Sequence, residues 1–477
     1  MEARSLKFVA DACAAEIRRG AAETLVKNVC TDSRQAKAGD LFFAIRGEKF
    51  DGHDFIAEVM AKNVAAIVVE KSKVSGLRGG EAAPPSKSVT GASRPLPALL
   101  VVDEVRIVLG KLASTYRKDF GLPVIVVAGS NGKTTVKELM ASVLRQKFST
   151  LASEASFNND IGVPLTLLKL EKSHQVAVLE AGTNHPGELA PLVQMIQPKF
   201  GVLTNIGREH LEFFGDVAGV AKEEGWLAEL LPADGKLFVN GDNEWSERIA
   251  ARTTAQVVCV GLGEKNGWCA KKVRLDKSGV TFQVATPKVE YCGDYRINLL
   301  GRHQVTNALL AIAIGAELGI GRTEIQDGLV ACLPPKMRLQ FWEANGVRVL
   351  DDAYNANADS TVAALETLCD LPLQGRRVAV LGDMSELGAH SEAAHAEVGR
   401  RAAELGIGQL FTVGKMSAFT AKAARDAGLT RVIEFADVES ALRAVKIFLK
   451  PGDVVLLKAS RASRLERIAE TLKSEKL

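Results

Sequence analysis

The chain has 477 residues, of which 47% are hydrophobic and 25% charged, as expected for a globular protein of two or three domains. This balance excludes global disorder, and a net charge of +3 argues against a protein that binds nucleic acid through bulk positive charge. Its seven cysteines include no CxxC pair, so we expect reduced thiols and neither a disulfide framework nor a zinc site.

The N-terminal twenty residues resemble an amphipathic helix, and their charges interrupt any signal-peptide core. No uncharged apolar run reaches the roughly 18 residues that a membrane-spanning helix needs. We therefore predict a cytoplasmic protein, with a peripheral association with membranes left open.

Short strand-like runs at 40–45 and 65–70 mark a first domain. The Gly-, Ser- and Pro-rich stretch at 75–97 predicts a surface loop, followed by a strand at 98–103. The alternative is a linker that ends the domain, which is less favoured because the following strand needs sheet partners.

Apolar strands then alternate with helical patterns, first at 124–129, 176–182 and 200–207. Continuous apolar strands are buried on both faces, which predicts a parallel sheet flanked by helices. Residues 256–300 predict a small antiparallel region. From about residue 337, five strands and five helices predict a doubly wound domain. The expected fold is α/β, with a central parallel-sheet domain and a C-terminal Rossmann-like domain.

The segment VIVVAGSNGKTTVKEL at 124–139 has the pattern of a phosphate-binding loop between a strand and a helix. Gly129 and Gly132 let backbone amides approach a phosphate, Lys133 can reach the β- and γ-phosphates, and the Thr134 hydroxyl can bind Mg²⁺. Val127 stands where the longer form of the motif has glycine. The alternative interpretation is an ordinary glycine turn.

Two further polar residues follow apolar strands. Glu180 ends VAVLE, at the sheet edge where a phosphate-bound metal would lie. His210 follows the next strand and is a candidate second-metal ligand. The alternatives are a solvated strand end and a surface histidine.

Nine segments, in order along essentially the whole chain, resemble the Mur ligase family. They are TDSRQAKAGDLFFAIRGEKFDGHDF (31–55), GSNGKTT (129–135), SFNNDIGVPLTLL (156–168), EAGTNHPGEL (180–189), TNIGREHLEFFG (204–215), GRHQVTNALLA (301–311), DDAYNANADS (351–360), LGDMSELG (381–388) and LLKASR (456–461). The resemblance implies three domains: a UDP-precursor domain at 1–115, an ATP-binding domain at 116–330 and a Rossmann-like domain at 331–477.

The resemblance also implies a reaction. ATP would phosphorylate the terminal carboxylate of UDP-N-acetylmuramoyl-tripeptide, and the amine of D-alanyl-D-alanine would displace phosphate, in the final cytoplasmic step of peptidoglycan precursor synthesis. Two Mg²⁺ ions and a monomer are expected. The alternatives are a Mur-type or folylpolyglutamate-type ligase with another acceptor, a P-loop ATPase without ligase activity, and, least favoured, an inactive binding module.

Site residues follow from the same resemblance. The expected ATP site contains Gly129, Ser130, Asn131, Gly132, Lys133, Thr134, Thr135, Asn307, Arg338 and Asp352. The expected metal ligands are Thr134, Glu180 and His210. Substrate contacts are expected from Ser33, Arg34 and Arg46 for the UDP group, from Asn158 and Asn159 near the acyl acceptor, and from the loop residues Tyr354, Asn355 and Asn357. Ordinary turn chemistry is the alternative for the asparagines.

The chain departs from the family at one informative position. Most relatives carry a carbamylated lysine in the helix after the HLE motif, and here that position is Glu224. Lys222 lies two residues earlier, about 200° around the helix. We expect Glu224 to supply the negative oxygen without CO₂; the alternative is carbamylation of Lys222. Ala358 and Ala459 are lesser departures. The family usually has proline after YNAN, where this chain has Ala358, and KGSR where this chain has KASR with Ala459.

Overall fold

The computed structural model describes residues 1–74 and 96–474, which divide into two compact units. The first contains 1–124, 151–181 and 191–197, and the second contains 125–150, 182–190 and the chain from 198 onward. The surface loop expected at 75–97 lies almost wholly outside the described residues.

The described strands are β1 Arg4–Ser5, β2 Glu16–Arg19, β3 Leu25–Val26, β4 Asn28–Cys30, β5 Asp40–Phe43, β6 Ala66–Glu70, β7 Ala98–Val102, β8 Val124–Ala128, β9 Thr150–Ala152, β10 Val176–Glu180, β11 Phe200–Leu203, β12 Lys236–Asn240, β13 Gln256–Gly261, β14 Trp268–Asp276, β15 Gly279–Ala285, β16 Gly293–Ile297, β17 Gln340–Ala344, β18 Val347–Asp352, β19 Arg377–Gly382, β20 Gln409–Val413, β21 Val432–Phe435 and β22 Val454–Lys458.

The described α-helices are α1 Leu6–Cys13, α2 Ile56–Ala61, α3 Val105–Arg117, α4 Lys133–Leu144, α5 Gly162–Leu167, α6 Leu189–Ile196, α7 Leu211–Phe214, α8 Val217–Glu224, α9 Trp226–Glu229, α10 Ser246–Ala250, α11 Gln304–Glu317, α12 Arg322–Ala331, α13 Ala358–Asp370, α14 Ser391–Glu404, α15 Ser417–Asp426, α16 Val438–Phe448 and α17 Glu466–Ser474. Within the described residues, none of these helices is both long and apolar enough to cross a bilayer.

The first unit contains a five-stranded sheet in the order β2-β7-β6-β5-β4. Strands β4 to β7 are parallel, and β2 is antiparallel to β7; the sequence predicted strands at 40–45, 65–70 and 98–103 but not how they pair. The N-terminal helix is shorter than the sequence suggested. It ends at Ala14, whose φ is +50°, because the chain then forms β2 and pairs with β7.

In the second unit, seven strands run in the order β16-β15-β14-β13-β12-β11-β8. Strands β8 and β11 to β14 are parallel, and β14 to β16 are antiparallel. The predicted antiparallel region is present, but it begins at β14 rather than at residue 256, because β13 is parallel to both of its neighbours. Because neighbouring parallel strands end at one edge, the loops after β8 and β11 emerge side by side.

The same unit contains a second sheet in the order β17-β18-β22-β19-β20-β21. Its last five strands are parallel, and a hydrophobic cluster covers each face, so the predicted doubly wound arrangement is confirmed. The antiparallel edge strand β17 was not predicted. Asp352 and Lys458 are paired in register at the carboxyl ends of β18 and β22.

All seven cysteines lie in described residues, and none of them is paired with another. The α/β fold class is confirmed, whereas the three domain boundaries remain a prediction.

Candidate active site

The loop between β8 and α4 has the conformation of a phosphate-binding loop. Gly129 and Gly132 have φ values of +111° and +87°. A Cβ atom on Gly129 would lie 2.5 Å from Thr204 Oγ1, and one on Gly132 would lie 2.9 Å from Asn307 Oδ1. Backbone conformation and close packing therefore both require glycine, and α4 begins directly afterwards at Lys133.

The Lys133 ammonium faces three oxygen atoms. Its Nζ donates to the carbonyls of Gly129 at 2.5 Å and Ser130 at 3.3 Å, and lies 3.3 Å from Glu209 Oε2. Only 13% of the Lys133 side chain and 7% of the Glu209 side chain are exposed, so this ion pair is shielded from water.

The loop after β11 fixes the phosphate-binding loop from the side. The N–H groups of Ser130 and Asn131 donate to the main-chain and side-chain oxygens of Asn205, each at 2.8 Å. The N–H of Gly207 donates to Ser130 Oγ at 2.9 Å. These contacts within the protein hold the phosphate-binding loop in place.

His210 lies at the start of α7 in the left-handed conformation, with φ +47°. Its Nδ1 is 2.5 Å from Glu386 Oε2, and this contact lowers the pKa of Glu386. The main-chain N–H of Glu212 also donates to the Glu386 carbonyl at 3.0 Å. The structure thus places His210 where the loop after β11 meets the loop after β19; its role as a metal ligand remains a prediction.

Glu224, the last residue of α8, is fully buried. Its Oε2 accepts a hydrogen bond from the Gly129 N–H at 2.7 Å, which brings the carboxylate to the phosphate-binding loop. Burial raises the pKa of Glu224, and the nearby Glu209 carboxylate raises it further. Glu224 therefore lies beside the phosphate-binding loop.

Lys222 lies on the same helix but on its exposed side. Its main-chain carbonyl accepts a hydrogen bond from Arg252 Nη1 at 2.8 Å. The predicted angular separation between Lys222 and Glu224 is thus observed, with Glu224 on the side that faces the loop.

Glu180 lies in the first unit, at the buried end of β10. Its Oε1 accepts a hydrogen bond from Asn158 Nδ2 at 2.8 Å, and its N–H donates to Ser153 Oγ at 3.2 Å. Asn159 instead accepts hydrogen bonds from the N–H groups of Ile161 and Gly162, as a turn residue does. Of the two asparagines, Asn158 therefore contacts a predicted site residue, Glu180.

Asn357 connects the C-terminal segment to the phosphate-binding loop. Its Oδ1 caps α13 by accepting from the Ser360 N–H at 2.8 Å, and its Nδ2 donates to Asn131 Oδ1 at 3.0 Å. Asn357 therefore has the helix-capping role of a turn residue and also contacts the phosphate-binding loop, while its expected contact with substrate remains a prediction.

Asp352 is held by two partners. Its Oδ2 lies 2.5 Å from Lys458 Nζ, and its Oδ1 accepts from the Leu339 N–H at 3.1 Å. Lys458 also donates to the carbonyl of Asn355, whose side chain is exposed. These contacts keep the loop after β18 close to the end of β22.

The remaining predicted nucleotide residues of the second unit are also placed. Asn307 is buried on α11, donates to Gln304 Oε1 at 2.8 Å and packs against Gly132. The Arg338 guanidinium lies 4.3 Å from the centre of the Tyr354 ring, in a cation–π arrangement. The structure thus brings Asn307 to the loop, while Arg338 contacts Tyr354.

The residues predicted to hold the UDP group lie in the first unit. Ser33 is buried, with Oγ 3.4 Å from Glu58 Oε2. Arg34 is 85% exposed and pairs with Asp32, and it lowers the pKa of that carboxyl to about 2. Arg46 forms an isolated bridge with Asp51. Ser33 and Arg34 are neighbours, and no contact described here joins them to Arg46.

Two residues of the site were missed in the sequence. Glu209 pairs with Lys133, and Arg208 bonds to Asp359 and Glu397. The only signal was their place in GREHLE, directly before His210. Charged residues in a loop are usually solvated, so position alone did not distinguish them.

Oxygen atoms suited to a divalent cation are present beside the loop. Thr134 Oγ1, Glu209 Oε1 and Glu224 Oε1 are buried and have no hydrogen-bond partner within the described structure. In the first unit, Glu180 Oε2 is in the same condition. Hydroxyl and carboxylate oxygens are the donors that Mg²⁺ prefers. No group of three acidic, histidine or cysteine side chains converges on one point within 1–74 and 96–474.

Three family models match the chain, and together they cover most of it. The Mur ligase family catalytic domain matches 25–117, the Mur ligase middle domain matches 127–315, and the Mur ligase glutamate ligase domain matches 337–461. The phosphate-binding loop and Glu224 fall in the second match, and Asp352 and Asn357 in the third.

Named relatives agree with these matches. The chain is 34% identical over 461 residues to the UDP-N-acetylmuramoyl-tripeptide–D-alanyl-D-alanine ligase of Escherichia coli, with 94% of each chain covered. A crystal structure of MurF from Acinetobacter baumannii covers 100% of both chains with a TM-score of 0.86 and 31% identity. MurF ligase from Thermotoga maritima, solved in complex with ADP, has a TM-score of 0.77 and 25% identity over 93% of this chain and 96% of its own. The chain belongs to the Mur ligase family.

Proposed function

We propose that this protein is an ATP-dependent ligase that joins D-alanyl-D-alanine to UDP-N-acetylmuramoyl-tripeptide. The observation that carries the proposal is full-length similarity to a ligase of that name, together with a phosphate-binding loop whose lysine and glycines have the required geometry.

The first step needs a phosphoryl group to move from ATP to a carboxylate. One oxygen of the tripeptide carboxylate attacks the γ-phosphorus, the bond to the β–γ bridging oxygen breaks, and ADP leaves. Lys133 and the N-terminus of α4 stabilise the phosphate charges, because positioning and electrostatics dominate phosphoryl transfer. Asn307 holds the loop by packing against Gly132.

The second step forms the amide. The amine of D-alanyl-D-alanine attacks the acyl carbon, the bond from that carbon to the phosphate oxygen breaks, and inorganic phosphate leaves with the electron pair. The amine loses one proton to a base or to solvent. Asn357, which links α13 to Asn131, would hold the C-terminal segment over the loop during this step.

Magnesium fits the donors described above. We assign Thr134, His210 and Glu224 to magnesium, which would neutralise phosphate charge when bound; Glu180, in the first unit, and the number of two ions remain predictions from the family resemblance. The hydrogen bond from the Gly129 N–H leaves Glu224 Oε1 available for this purpose.

Glu224 would act without CO₂ modification. It is buried beside the loop, whereas Lys222 is exposed, and these positions favour the glutamate over a carbamylated lysine. Activity should therefore be equal in CO₂-depleted buffer and in buffer with added bicarbonate. Activity that collapses on depletion and returns with bicarbonate would contradict this assignment.

The main test is phosphate release from ATP, with UDP-N-acetylmuramoyl-tripeptide present and D-alanyl-D-alanine either present or absent, and with product mass measured in parallel. We expect release to require both substrates and the product to be a pentapeptide. Release without either substrate would favour a plain ATPase, and turnover with another acceptor would favour a related ligase. UDP contacts by Ser33, Arg34 and Arg46, a monomeric state and a cytoplasmic location remain predictions.

A further inference from the structure

We propose that Glu209 is a positioning residue that holds Lys133 and exchanges it for the metal ion that accompanies the nucleotide. The inference rests on the proposed nucleotide site. It concerns a residue that no motif assigned, and it follows from the contacts of Lys133, from the burial of two carboxylates and from their charges.

The Lys133 ammonium group already faces protein oxygens. An ammonium group has three N–H donors, and three oxygens lie within 3.3 Å of Nζ: the carbonyls of Gly129 and Ser130, and Glu209 Oε2. A phosphate oxygen must compete with at least one of them. Glu209 supplies the only charged oxygen of these three, so its carboxylate is the strongest of these competitors.

Moving Lys133 to a phosphate would leave two carboxylates without their cation. Glu209 and Glu224 are both buried, each with one oxygen that has no partner in the described structure. Once Lys133 turns to a phosphate, two neighbouring carboxylates would lie in a site of low dielectric without their cation. Burying unpaired charge is costly, so the turn of Lys133 favours a replacement cation.

The oxygen donors near Lys133 indicate which cation would replace it. Thr134 Oγ1, in the first turn of α4, is a further buried oxygen without a partner in the described residues. A hydroxyl and two carboxylates suit Mg²⁺ in preference to a softer metal. Glu209 thus links the two events, because it loses its lysine when the nucleotide binds and gains a metal ion, either directly or through a water molecule.

The test measures how strongly Mg²⁺ changes ADP affinity, by calorimetry on the full chain with Mg²⁺ or with EDTA. In E209Q, ADP should bind more tightly without metal, because the charged competitor for Lys133 is gone. It should bind more weakly with Mg²⁺, because an oxygen donor of full charge is gone. The ratio of the ADP affinity with Mg²⁺ to the ADP affinity with EDTA should therefore be about tenfold or more lower in E209Q than in wild type.

Two further variants make the result specific. E209D keeps the charge on a shorter side chain and should restore part of the metal dependence. E212Q removes the same charge from an exposed residue three positions away and should leave the ratio unchanged. Melting temperatures of all variants would check that they fold.

The outcomes are distinguishable. If the wild-type protein binds no ADP under either condition, the proposed function fails. If the wild-type protein binds ADP but E209Q has the same affinity ratio as wild type, or loses affinity equally with and without Mg²⁺, the exchange role of Glu209 is wrong.

Discussion

Arg208 and Asp359 form a two-sided contact between segments 151 residues apart in sequence. The side-chain Nε of Arg208 donates to Asp359 Oδ1 at 2.9 Å, and the main-chain N–H of Arg208 donates to Oδ2, also at 2.9 Å. Glu397 binds the other edge of the same guanidinium. One arginine therefore holds the loop after β11 against both α13 and α14.

Removing this arginine should loosen the C-terminal segment. In R208A we expect a larger radius of gyration by small-angle scattering, with ATP and the UDP precursor restoring compactness only in part. We also expect kcat/KM to fall about tenfold or more, because misplaced groups lose their alignment. R401A is the matched control, since Arg401 pairs with Glu366 and Glu404 inside the C-terminal segment alone. An unchanged radius in R208A would contradict the prediction.

Lys133 should be essential for chemistry more than for folding. We expect K133A to lower kcat by about 10²–10³-fold, the usual cost of losing one group that stabilises transition-state charge. Phosphate release under saturating substrates measures it. K147A removes an exposed lysine that donates to the Gly319 carbonyl, and it should stay near wild-type activity. Near-normal kcat in K133A would exclude the assigned role.

Replacing Glu224 by lysine should create a requirement for CO₂. The side chain of E224K is long enough to carry a carbamate where the carboxylate now accepts from the Gly129 N–H. We expect E224K to have low activity in CO₂-depleted buffer and to recover with bicarbonate. The activity of wild type should change neither on CO₂ depletion nor on addition of bicarbonate. E224Q should be inactive under both conditions. Recovery of E224Q with bicarbonate would show that another residue is modified.

His395 should make stability depend on pH. It is fully buried; Nε2 accepts from the Met384 N–H at 3.0 Å, and Nδ1 lies 2.7 Å from the Ser391 carbonyl, an arrangement that suits the neutral ring. Burial lowers its pKa from the ordinary 6.5. The unfolded chain thus binds the proton more readily, so this contribution is present above pH 6.5 and is lost as the pH falls below it.

The measurement is urea unfolding at several pH values for wild type, H395Q and H174Q. The decrease in the free energy of unfolding between pH 7.5 and 5.5 should be smaller in H395Q than in wild type, because glutamine does not titrate. H174Q, which changes a surface histidine of the first unit, should match wild type. Equal decreases in all three proteins would assign the pH dependence to other groups.

Much of the fold could be read from the sequence because its local patterns are strong. Apolar strands at 124–129 and 200–207 and the glycine turn before Lys133 each formed where expected. The N-terminal helix was overestimated, since pairing of β2 with β7 competes with helix propensity. Strand β17 was missed because it lies at the edge of its sheet, where it pairs with β18 alone among the described strands.

The sequence by itself determined the α/β class, the phosphate-binding loop and the position of Glu224, because spacing within one helix or loop is a local property. Only the tertiary structure decided that Glu209 faces Lys133 and that Arg208 joins Asp359. Those contacts depend on which strands are neighbours in a sheet and on how distant segments pack. Lys133 and Glu209 are 76 positions apart, and Arg208 and Asp359 are 151 apart; each pair meets only in the folded chain, and no local pattern records that.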